Sequence, residues 1–465
     1  MGVFIKNVFD DIQYAYIVLT IFLLVIFGVY LVGMPQISVN FVFLFLFIAL
    51  FCFKKYDLIL FLFIALFPTN GFADTKYNIL GIVNSKYIVS LFALFSAILK
   101  EGQIKSNYNF DKLTKYAFYL IVFIAVYLFL QNFKVDQLGI QQFAVTTHLT
   151  IFIKLAIDVI VFYYIIKFSN IPYYKLYFQK AFFYSLLIIS LSMIFVDTLY
   201  EIGIYMGDED SIKVGDANKR VLGVWGLICG GDENSLGGYL VMGLSCILFS
   251  AKKKPWLLVT IIILGLMHTG SRTGFFNLVI VVLAFMLCSQ DSILIKLRNI
   301  LLVSLLAFIL FKVGVFDFVI ERTMKLVTGE DEGLDANGLG RLSGWFFYLN
   351  YIMSDMRYFF FGVTENIYDA VSTEFFRNRV AHNFYIQLWY YFGVFALCIF
   401  LYLLTKICVC ILKSKNKIQF FLILPACITL FTVSDIGVGF YIPIVLVLFT
   451  NNEFNYKVQK YVKKE

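Results

Sequence analysis

Charged residues are scarce in this sequence: only 15% are Asp, Glu, Lys or Arg, whereas 61% are hydrophobic and 19% are aromatic. A soluble globular domain carries about 25% charged residues, because its apolar core needs a polar shell in contact with water. So little charge over 465 residues excludes a soluble domain as the main body of the chain. The excess apolar surface is expected to face lipid, which accommodates Phe and Tyr side chains well.

The residues and motifs that mark common chemistries are also few. The 3 histidines and 8 cysteines show no metal-ligand spacing, and Cys408 and Cys410 point to different faces of a predicted helix. The phosphate-binding loop with its Lys, the His-Glu-x-x-His zinc motif and the Gly-x-Ser-x-Gly nucleophile motif do not occur. No nucleic-acid-binding pattern accompanies the net charge of +8. We therefore predict no metal, no cofactor and no nucleic-acid partner.

Long apolar runs are what the sequence has in abundance. A membrane-spanning helix needs roughly 20 mainly apolar residues, and the first such run, Tyr14 to Gly33, is followed by another rather than by a cleavage site. We predict an all-α polytopic membrane protein with about 14 transmembrane helices, in the range 12–14. The runs cover residues 14–33, 37–53, 57–70, 83–99, 116–131, 147–167, 179–199, 233–251, 255–270, 274–289, 299–318, 384–405, 418–433 and 436–450.

The basic residues predict how these runs are oriented. Most of the 38 Lys and Arg residues fall on alternate loops, which are the cytoplasmic ones if both termini are inside. This N-in/C-in topology leaves one long outer, periplasmic loop at 321–383, which we expect to be partly helical. It separates transmembrane helices 1–11, in residues 1–320, from helices 12–14 and a cytoplasmic tail in residues 384–465. An outer loop of that length is uncommon unless it carries function.

Three residues on the predicted outer side stand out as candidates for chemistry. His382 ends the long loop just before a span, where an imidazole can act as a general base near neutral pH. Arg272 lies in a tight turn between two apolar runs, where a charge usually faces a polar cavity or an anionic ligand. Arg341 opens an amphipathic stretch and shares a helix face with Trp345. Arg220, before the eighth span, is a weaker candidate of the same kind.

Each polar candidate also has a structural interpretation. Arg272 can be a turn residue that snorkels to the interface, and Arg341 can belong to a helix that lies on the membrane. His148 is expected to be an interfacial polar residue and His268 a helix-end residue, although His268 can also belong to a polar site. Asp158, inside the sixth run, is expected to pair with Lys154 one turn before it.

Taken in order along the chain, these motifs resemble the O-antigen polymerase and O-antigen ligase superfamily, over roughly residues 265–400. The motifs are Ser271-Arg272-x-Gly274 after a span, Gly340-Arg341-(x3)-Trp345 in a long outer loop, and His382-Asn383 followed by Tyr385 and Leu388 at the end of that loop.

The chain departs from the pattern of this superfamily at several positions. Gly393 is present, but Tyr391 stands where an acidic residue is common and Ala396 where a second glycine is common. The stretch around Gly362 matches the upstream glycine-rich stretch of the superfamily incompletely. These departures leave the substrate open.

The resemblance implies glycosyl transfer from an undecaprenyl-diphosphate-linked oligosaccharide at the outer face of the bacterial cytoplasmic membrane. It implies His382 as the catalytic base and Arg272, Arg341 and Arg220 as ligands of the diphosphate, with inversion at the anomeric carbon. It also implies a membrane lipid environment and a chain-length regulator as a partner. The supporting residues would be Ser271, Trp345, Asn383 and Tyr385.

Three functions are open at this point. The first is a polymerase of lipid-linked repeat units into O-antigen or a similar surface polysaccharide, for which the length and composition of the chain argue. The second is a ligase that transfers the finished chain to the lipid A core. The third, from a different class, is a multi-span lipid or oligosaccharide flippase or transporter; such proteins often consist of two similar halves, and no internal repeat is evident here.

Overall fold

The computed structural model of the chain is built from helices. Within the described residues 92% are helical and none belongs to a strand, which confirms the predicted all-helical class. Four single positions, 294, 298, 301 and 312, are also described. The described ranges are 2–31, 37–67, 85–104, 110–138, 145–195, 233–250, 255–269, 271–288, 338–364, 383–413, 417–431 and 441–449.

We number the helices of these ranges in chain order. The first seven are α1 (Gly2–Leu31), α2 (Ile37–Cys52), α3 (Tyr56–Leu66), α4 (Ser85–Ile104), α5 (Lys112–Gln137), α6 (Val145–Phe168) and α7 (Pro172–Ile194). They are followed by α8 (Glu233–Ser250), α9 (Trp256–His268), α10 (Arg272–Cys288), α11 (Gly338–Ser354), α12 (Met356–Phe361), α13 (Phe384–Leu412), a 3₁₀ helix (Lys417–Leu422), α14 (Leu424–Leu430) and α15 (Tyr441–Phe449).

Five stretches in the described part of the chain are long and apolar enough to cross a membrane, so the protein is a membrane protein. Six shorter apolar helices accompany them. One of these, α3, is enclosed by its neighbours, since every residue from Leu58 to Leu66 is buried. The five long stretches are Tyr87–Ile104, Lys112–Gln137, His148–Phe168, Pro172–Ile194 and Phe384–Leu412.

Small residues let the helices approach closely, as is usual where lipid rather than water surrounds a bundle. A Cβ on Gly265 of α9 would lie 2.7 Å from Cα of Ser190 on α7, closer than real Cβ atoms come. A Cβ on Gly243 of α8 would lie 2.4 Å from the side chain of Leu186. The packing of α8 and α9 on α7 therefore depends on these two glycines.

A group of ionic and hydrogen-bonded side chains ties five helices together at one end of the bundle. The Asp57 carboxylate accepts hydrogen bonds from Lys100 at 2.8 Å and from the Tyr174 hydroxyl at 3.0 Å. Because α3 and α7 begin here, α4 and α6 end here, and Asp11 lies in the first half of α1, these helices alternate in direction. We call this group the base cluster; it consists of Asp11, Asp57, Lys100, Glu101, Lys167, Tyr173 and Tyr174.

A second ionic interaction lies inside the bundle between α4 and α6. Asp158 is almost fully buried, and its carboxylate accepts from Ser90 Oγ at 2.6 Å and from Lys154 Nζ at 3.1 Å. The predicted pairing of Asp158 with Lys154 is therefore confirmed. The two hydrogen bonds compensate for removing the carboxylate from water.

We expect Asp158→Ala to lower the thermal stability of the purified protein, because the Lys154 ammonium then stays in the bundle without its carboxylate. Removing one partner of a buried ion pair costs about 3–5 kcal/mol. The double variant Lys154→Met/Asp158→Leu removes both charges and should recover most of the loss in unfolding temperature. Lys112→Met, at an exposed position on α5, is the control. A double variant as unstable as the single one would contradict the pairing argument.

Candidate functional site

The described residues contain the helices that carry two of the predicted arginines. Arg272 is the first residue of α10, and Arg341 lies in the first turn of α11. The side chains of both, and all of Arg220 and His382, lie outside the described residues. Their predicted roles therefore stay predictions, and the site is built from their neighbours.

The start of α10 is fixed by hydroxyl groups. Ser271, predicted as a supporting residue, is buried and caps the helix, because its Oγ accepts from the Gly274 backbone N at 3.0 Å. Its own backbone N donates to Thr269 Oγ1 at 3.2 Å. Serine at this position satisfies one of the N–H groups that a helix start leaves open. The cap therefore determines where Arg272 enters the helix.

The first turn of α8 crosses the start of α10 at very short range. A Cβ on Gly237 would lie 2.9 Å from Ser271 Cβ and 3.2 Å from Gly274 Cα. Only glycine at position 237 allows this approach without a shift of the neighbours. The starts of α8 and α10 thus lie at the same end of the bundle.

The short helix α14 joins the start of α10 to the start of α13. Asn277, in the second turn of α10, donates from Nδ2 to Thr429 Oγ1 at 3.2 Å. Tyr385, in the first turn of α13, donates from its hydroxyl to the Cys427 carbonyl at 3.3 Å. Its ring also lies against Phe431, at 4.5 Å between centroids. Tyr385, predicted as a supporting residue, therefore holds α13 against α14.

The start of α13 is capped in the same way as that of α10. Asn383, predicted as a supporting residue, is buried, and its side-chain oxygen accepts from the Ile386 backbone N at 3.2 Å. Asparagine is among the residues most favoured at this position of a helix. His382 is the residue immediately before this cap. The backbone on the C-terminal side of His382 is therefore held in place by the Asn383 cap.

Two glycines that belong to the resemblance each lie against the backbone of the two residues that precede the other glycine. Gly362 follows α12 and Gly393 lies within α13, and both have positive φ, at 84° and 79°. A Cβ on Gly393 would lie 2.0 Å from the Phe360 carbonyl oxygen, and one on Gly362 would lie 2.4 Å from that of Tyr391. Gly393 also leaves the helical conformation, so α13 is kinked there. This glycine crossing, Gly362 on Gly393, sets the path of the chain before residue 365.

Val363 is held on both sides just after the glycine crossing. Its backbone N donates to the Tyr390 carbonyl at 2.8 Å, and its carbonyl accepts from Lys134 Nζ at 2.9 Å. Lys134 is half-buried at the end of α5 and forms no ion pair with a described carboxylate. The sequence analysis did not single out this residue, which lies three positions after the predicted apolar run 116–131. Helix α5 continues beyond that run to Gln137, so Lys134 lies one turn before its end.

Helix α11 lies across the first turns of α13 and brings the Arg341 backbone to the same region. Tyr348 packs edge-on against Tyr390, with ring centroids 5.1 Å apart. Trp345, predicted as a supporting residue, packs against this cluster, which also includes Ile352 and Leu138. The structure thus gathers the helices of Arg341, Asn383 and Lys134.

We call this region the site end of the bundle, and it lies opposite the base cluster. His148, at the start of α6, pairs with Asp136 at the end of α5 and stacks on Phe133 at 4.3 Å. The other end of α6 carries Lys167, which belongs to the base cluster. His148 is buried, and its Nε2 contacts the Asp136 carboxylate between α5 and α6; its expected place at the interface stays a prediction.

Other polar groups near the site end have separate roles. His268 is exposed at the end of α9, with Nδ1 2.9 Å from the Leu264 carbonyl, which confirms the helix-end interpretation. On the turn between α11 and α12, the Arg357 guanidinium donates to Asp355 and holds the pKa of that carboxyl below its usual range. Within the described residues, no three His, Cys, Asp or Glu side chains are grouped closely enough to hold a metal ion.

Gln387 is a further residue that the sequence analysis missed. It is buried one turn after Asn383 and on the same helix face. Its Oε1 has no hydrogen-bond donor among the described residues. A buried amide oxygen without a donor costs free energy.

We expect Gly393→Ala and Gly362→Ala each to lower the unfolding temperature of the purified protein strongly. A side chain at positive φ costs about 1–3 kcal/mol before any clash, and here the Cβ also meets backbone atoms. Gly344→Ala is the matched control, because a Cβ on Gly344 in α11 would meet nothing within 4 Å. It should be neutral or stabilising by about 0.5–1 kcal/mol. Equal stability of all three variants would show that the glycine crossing is not needed.

Comparisons with known proteins assign this chain to no family. No family model matches it, and no curated protein or solved structure matches it. The resemblance to the O-antigen polymerase and ligase superfamily therefore stays a prediction, and the function is argued from the geometry of the site end.

Proposed function

We propose that this protein polymerises oligosaccharide repeat units linked to undecaprenyl diphosphate, at the outer face of a bacterial cytoplasmic membrane. The observation that carries the proposal is the convergence of three helices at the site end. Helix α10 begins with Arg272, α11 contains Arg341, and α13 begins two residues after His382. Helices α10 and α13 meet at α14, and α11 lies on α13.

The distribution of charge supports an outward orientation of the site end. The helix ends of the base cluster adjoin basic loop residues such as Lys54 and Lys55, and positive residues favour the cytoplasmic side. In this proposal the chain crosses the membrane about 14 times with both termini inside. The site end then faces the compartment in which the lipid-linked donor is presented.

The chemistry follows from the residue types. A hydroxyl oxygen of the acceptor sugar attacks the anomeric carbon of the donor, and the bond from that carbon to the diphosphate oxygen breaks. The electron pair goes to the lipid diphosphate, whose growing charge is stabilised by the guanidinium groups of Arg272 and Arg341, with Arg220 as a further contributor. His382 takes the proton of the attacking hydroxyl. Attack opposite the leaving group inverts the anomeric centre.

Two residues whose significance is seen only in the structure support the same proposal. Lys134 is a cation at the site end without a described acidic partner, and a half-buried unpaired cation favours an anionic ligand. Gln387 presents a buried acceptor that a sugar hydroxyl can satisfy. The proposed site therefore contains positive charge for the diphosphate and a hydrogen-bond acceptor for the sugar.

A ligase that moves the chain to the lipid A core would use the same donor chemistry and the same residues. A transporter is favoured by one observation, the ion pair of Lys154 and Asp158 inside the bundle, because intramembrane charges often mark transport sites. A chain-length regulator as partner belongs to the polymerase proposal alone.

We expect Arg272→Ala, Arg341→Ala and His382→Ala each to fail to restore long polysaccharide chains in a polymerase-deficient strain. Removing one group that stabilises transition-state charge costs about 100–1,000-fold in rate, and removing a general base costs about 100–10,000-fold. The measurement is the ladder of surface polysaccharide on a gel. Arg357→Ala is the matched control, since Arg357 is an exposed arginine paired with Asp355, and it should give a normal ladder.

The same strain separates the alternatives. Loss of a polymerase leaves single repeat units attached to the core, whereas loss of a ligase leaves none. Uptake of labelled lipid-linked repeat units into vesicles that persists in His382→Ala would favour a transporter. Normal ladders from all three variants would remove the site assignment.

We expect Lys134→Met to shorten the polysaccharide ladder while Lys134→Arg retains it, because arginine preserves the charge and a donor for the Val363 carbonyl. Lys115→Met, at an exposed position near the other end of α5, is the control and should behave like the unmodified chain. Equal ladders from Lys134→Met and Lys115→Met would show that the cation at the site end is dispensable.

A further inference from the structure

Helices α11 and α12 together expose four large apolar side chains. Phe346, Met353, Met356 and Phe361 are 63%, 60%, 68% and 70% exposed. The sequence predicted a partly helical outer loop here, with a helix on the membrane as one interpretation of the stretch around Arg341, and none of the five long apolar stretches includes it. A contiguous apolar surface of this kind marks an interaction with another molecule or with a membrane.

The apolar side chains of α11 occupy two faces of the helix. Tyr348 and Ile352 are buried against the site end. Phe346 and Met353, two turns apart, lie on the opposite side and are exposed. Only Asn350 and Ser354 form an exposed polar edge among the described side chains of α11. A helix with this pattern needs an apolar surrounding on the side that faces away from the protein.

The exposed side chains of α12 continue a surface that belongs to a membrane span. The Phe361 ring lies 6.3 Å from the Phe395 ring of α13, and the Phe360 ring lies 5.6 Å from it. Phe395 and Ile399 are 56% and 53% exposed, on the outward face of the longest candidate span. That face has to meet acyl chains if α13 crosses the bilayer, so the adjoining apolar side chains of α12 lie at its lipid boundary.

A polar edge runs beside this surface. Arg357 donates to the Asp355 carboxylate at 2.6 Å and is highly exposed. Arginine at a membrane boundary extends its guanidinium toward the headgroups and leaves its aliphatic part in the apolar region. The polar edge and the apolar surface together have the character of a helix that lies in the interface rather than across it.

We propose that α11 and α12 are immersed at the boundary between headgroups and acyl chains of a phospholipid leaflet, with Phe346, Met353, Met356 and Phe361 in the acyl region. The occupant of this surface is bilayer phospholipid. This immersion is independent of the proposed enzymatic function. If both hold, the helix that carries Arg341 lies at the depth of the diphosphate group of a lipid-linked donor.

The test is spin labelling of the full chain in vesicles of phosphatidylcholine and phosphatidylglycerol. Single cysteines replace Phe346, Met353, Met356 or Phe361 in a variant whose native cysteines are replaced by serine or alanine, and Ser354→Cys is the matched control on the polar edge. Collision rates of the nitroxide are measured with oxygen, which concentrates in acyl chains, and with a water-soluble nickel chelate. We expect the oxygen-to-nickel ratio at the four apolar positions to exceed that at position 354 several-fold.

Two outcomes would overturn the proposal. A nickel collision rate at the four positions equal to that at position 354 would mean that the surface faces water. Low collision rates with both reagents would mean that protein, such as a second copy, covers it. The unmodified chain gives a second measurement that needs no cysteine replacement: hydroxyl-radical labelling in the same vesicles should leave Met353 and Met356 largely unoxidised. Their oxidation at the rate of free methionine would also refute the immersion.

Discussion

The site end depends on one contact between backbones, the glycine crossing of Gly362 and Gly393. Because neither residue has a Cβ and both adopt positive φ, the chain after α12 can lie directly on α13. The crossing directs the Val363 backbone N toward Tyr390 and its carbonyl toward Lys134. A side chain at either glycine would push α12 away from α13, and α11 packs on both. The orientation of the helix that carries Arg341 therefore depends on the absence of a side chain at both glycines.

The rest of the bundle also depends on close contacts between helices, together with hydrogen bonds. Lipid is as apolar as the helices themselves, so burial of apolar surface from water does not drive them together, and close packing and hydrogen bonds have to do so. Helix α8 shows the packing contribution, since a Cβ on Gly237, Gly238 or Gly243 would lie within 3.0 Å of a neighbouring side chain, which would have to shift. The base cluster shows the polar contribution, because each of its hydrogen bonds joins two different helices. Both contributions are strongly directional, and a bundle held in this way can keep a site at one end in a defined geometry.

Apolar run length was sufficient to predict most helices, and the order of the motifs was sufficient to select the helices that meet at the site end. Boundaries were less predictable. Helix α7 begins at Pro172, well before the predicted run, because proline is favoured in the first turn of a helix and polar residues are tolerated there. Lys134 was missed because its hydrogen-bond partner, Val363, is remote in sequence. Gln387 was missed because the lack of a described donor for its Oε1 can be recognised only in the folded chain. The kink at Gly393 was missed for the same reason, since an isolated glycine in an apolar run has no periodicity that marks a contact with α12.

The pairing of charges among the described residues bears on what binds at the site end. At the base cluster Lys100 and Lys167 pair with the carboxylates of Asp57 and Glu101, and Asp11 accepts from the Tyr173 hydroxyl. At the site end the Asp136 carboxylate contacts His148 Nε2, and Lys134 forms no ion pair with a described carboxylate. A cation that is half removed from water is stabilised by a negative partner, and the α10 and α11 helices bring two more arginines into this region. Lys134 lies at the end where α11 exposes apolar side chains suited to lipid. A ligand that satisfies both features carries its negative charge at a membrane surface and an apolar tail beside it, and a lipid diphosphate has that structure.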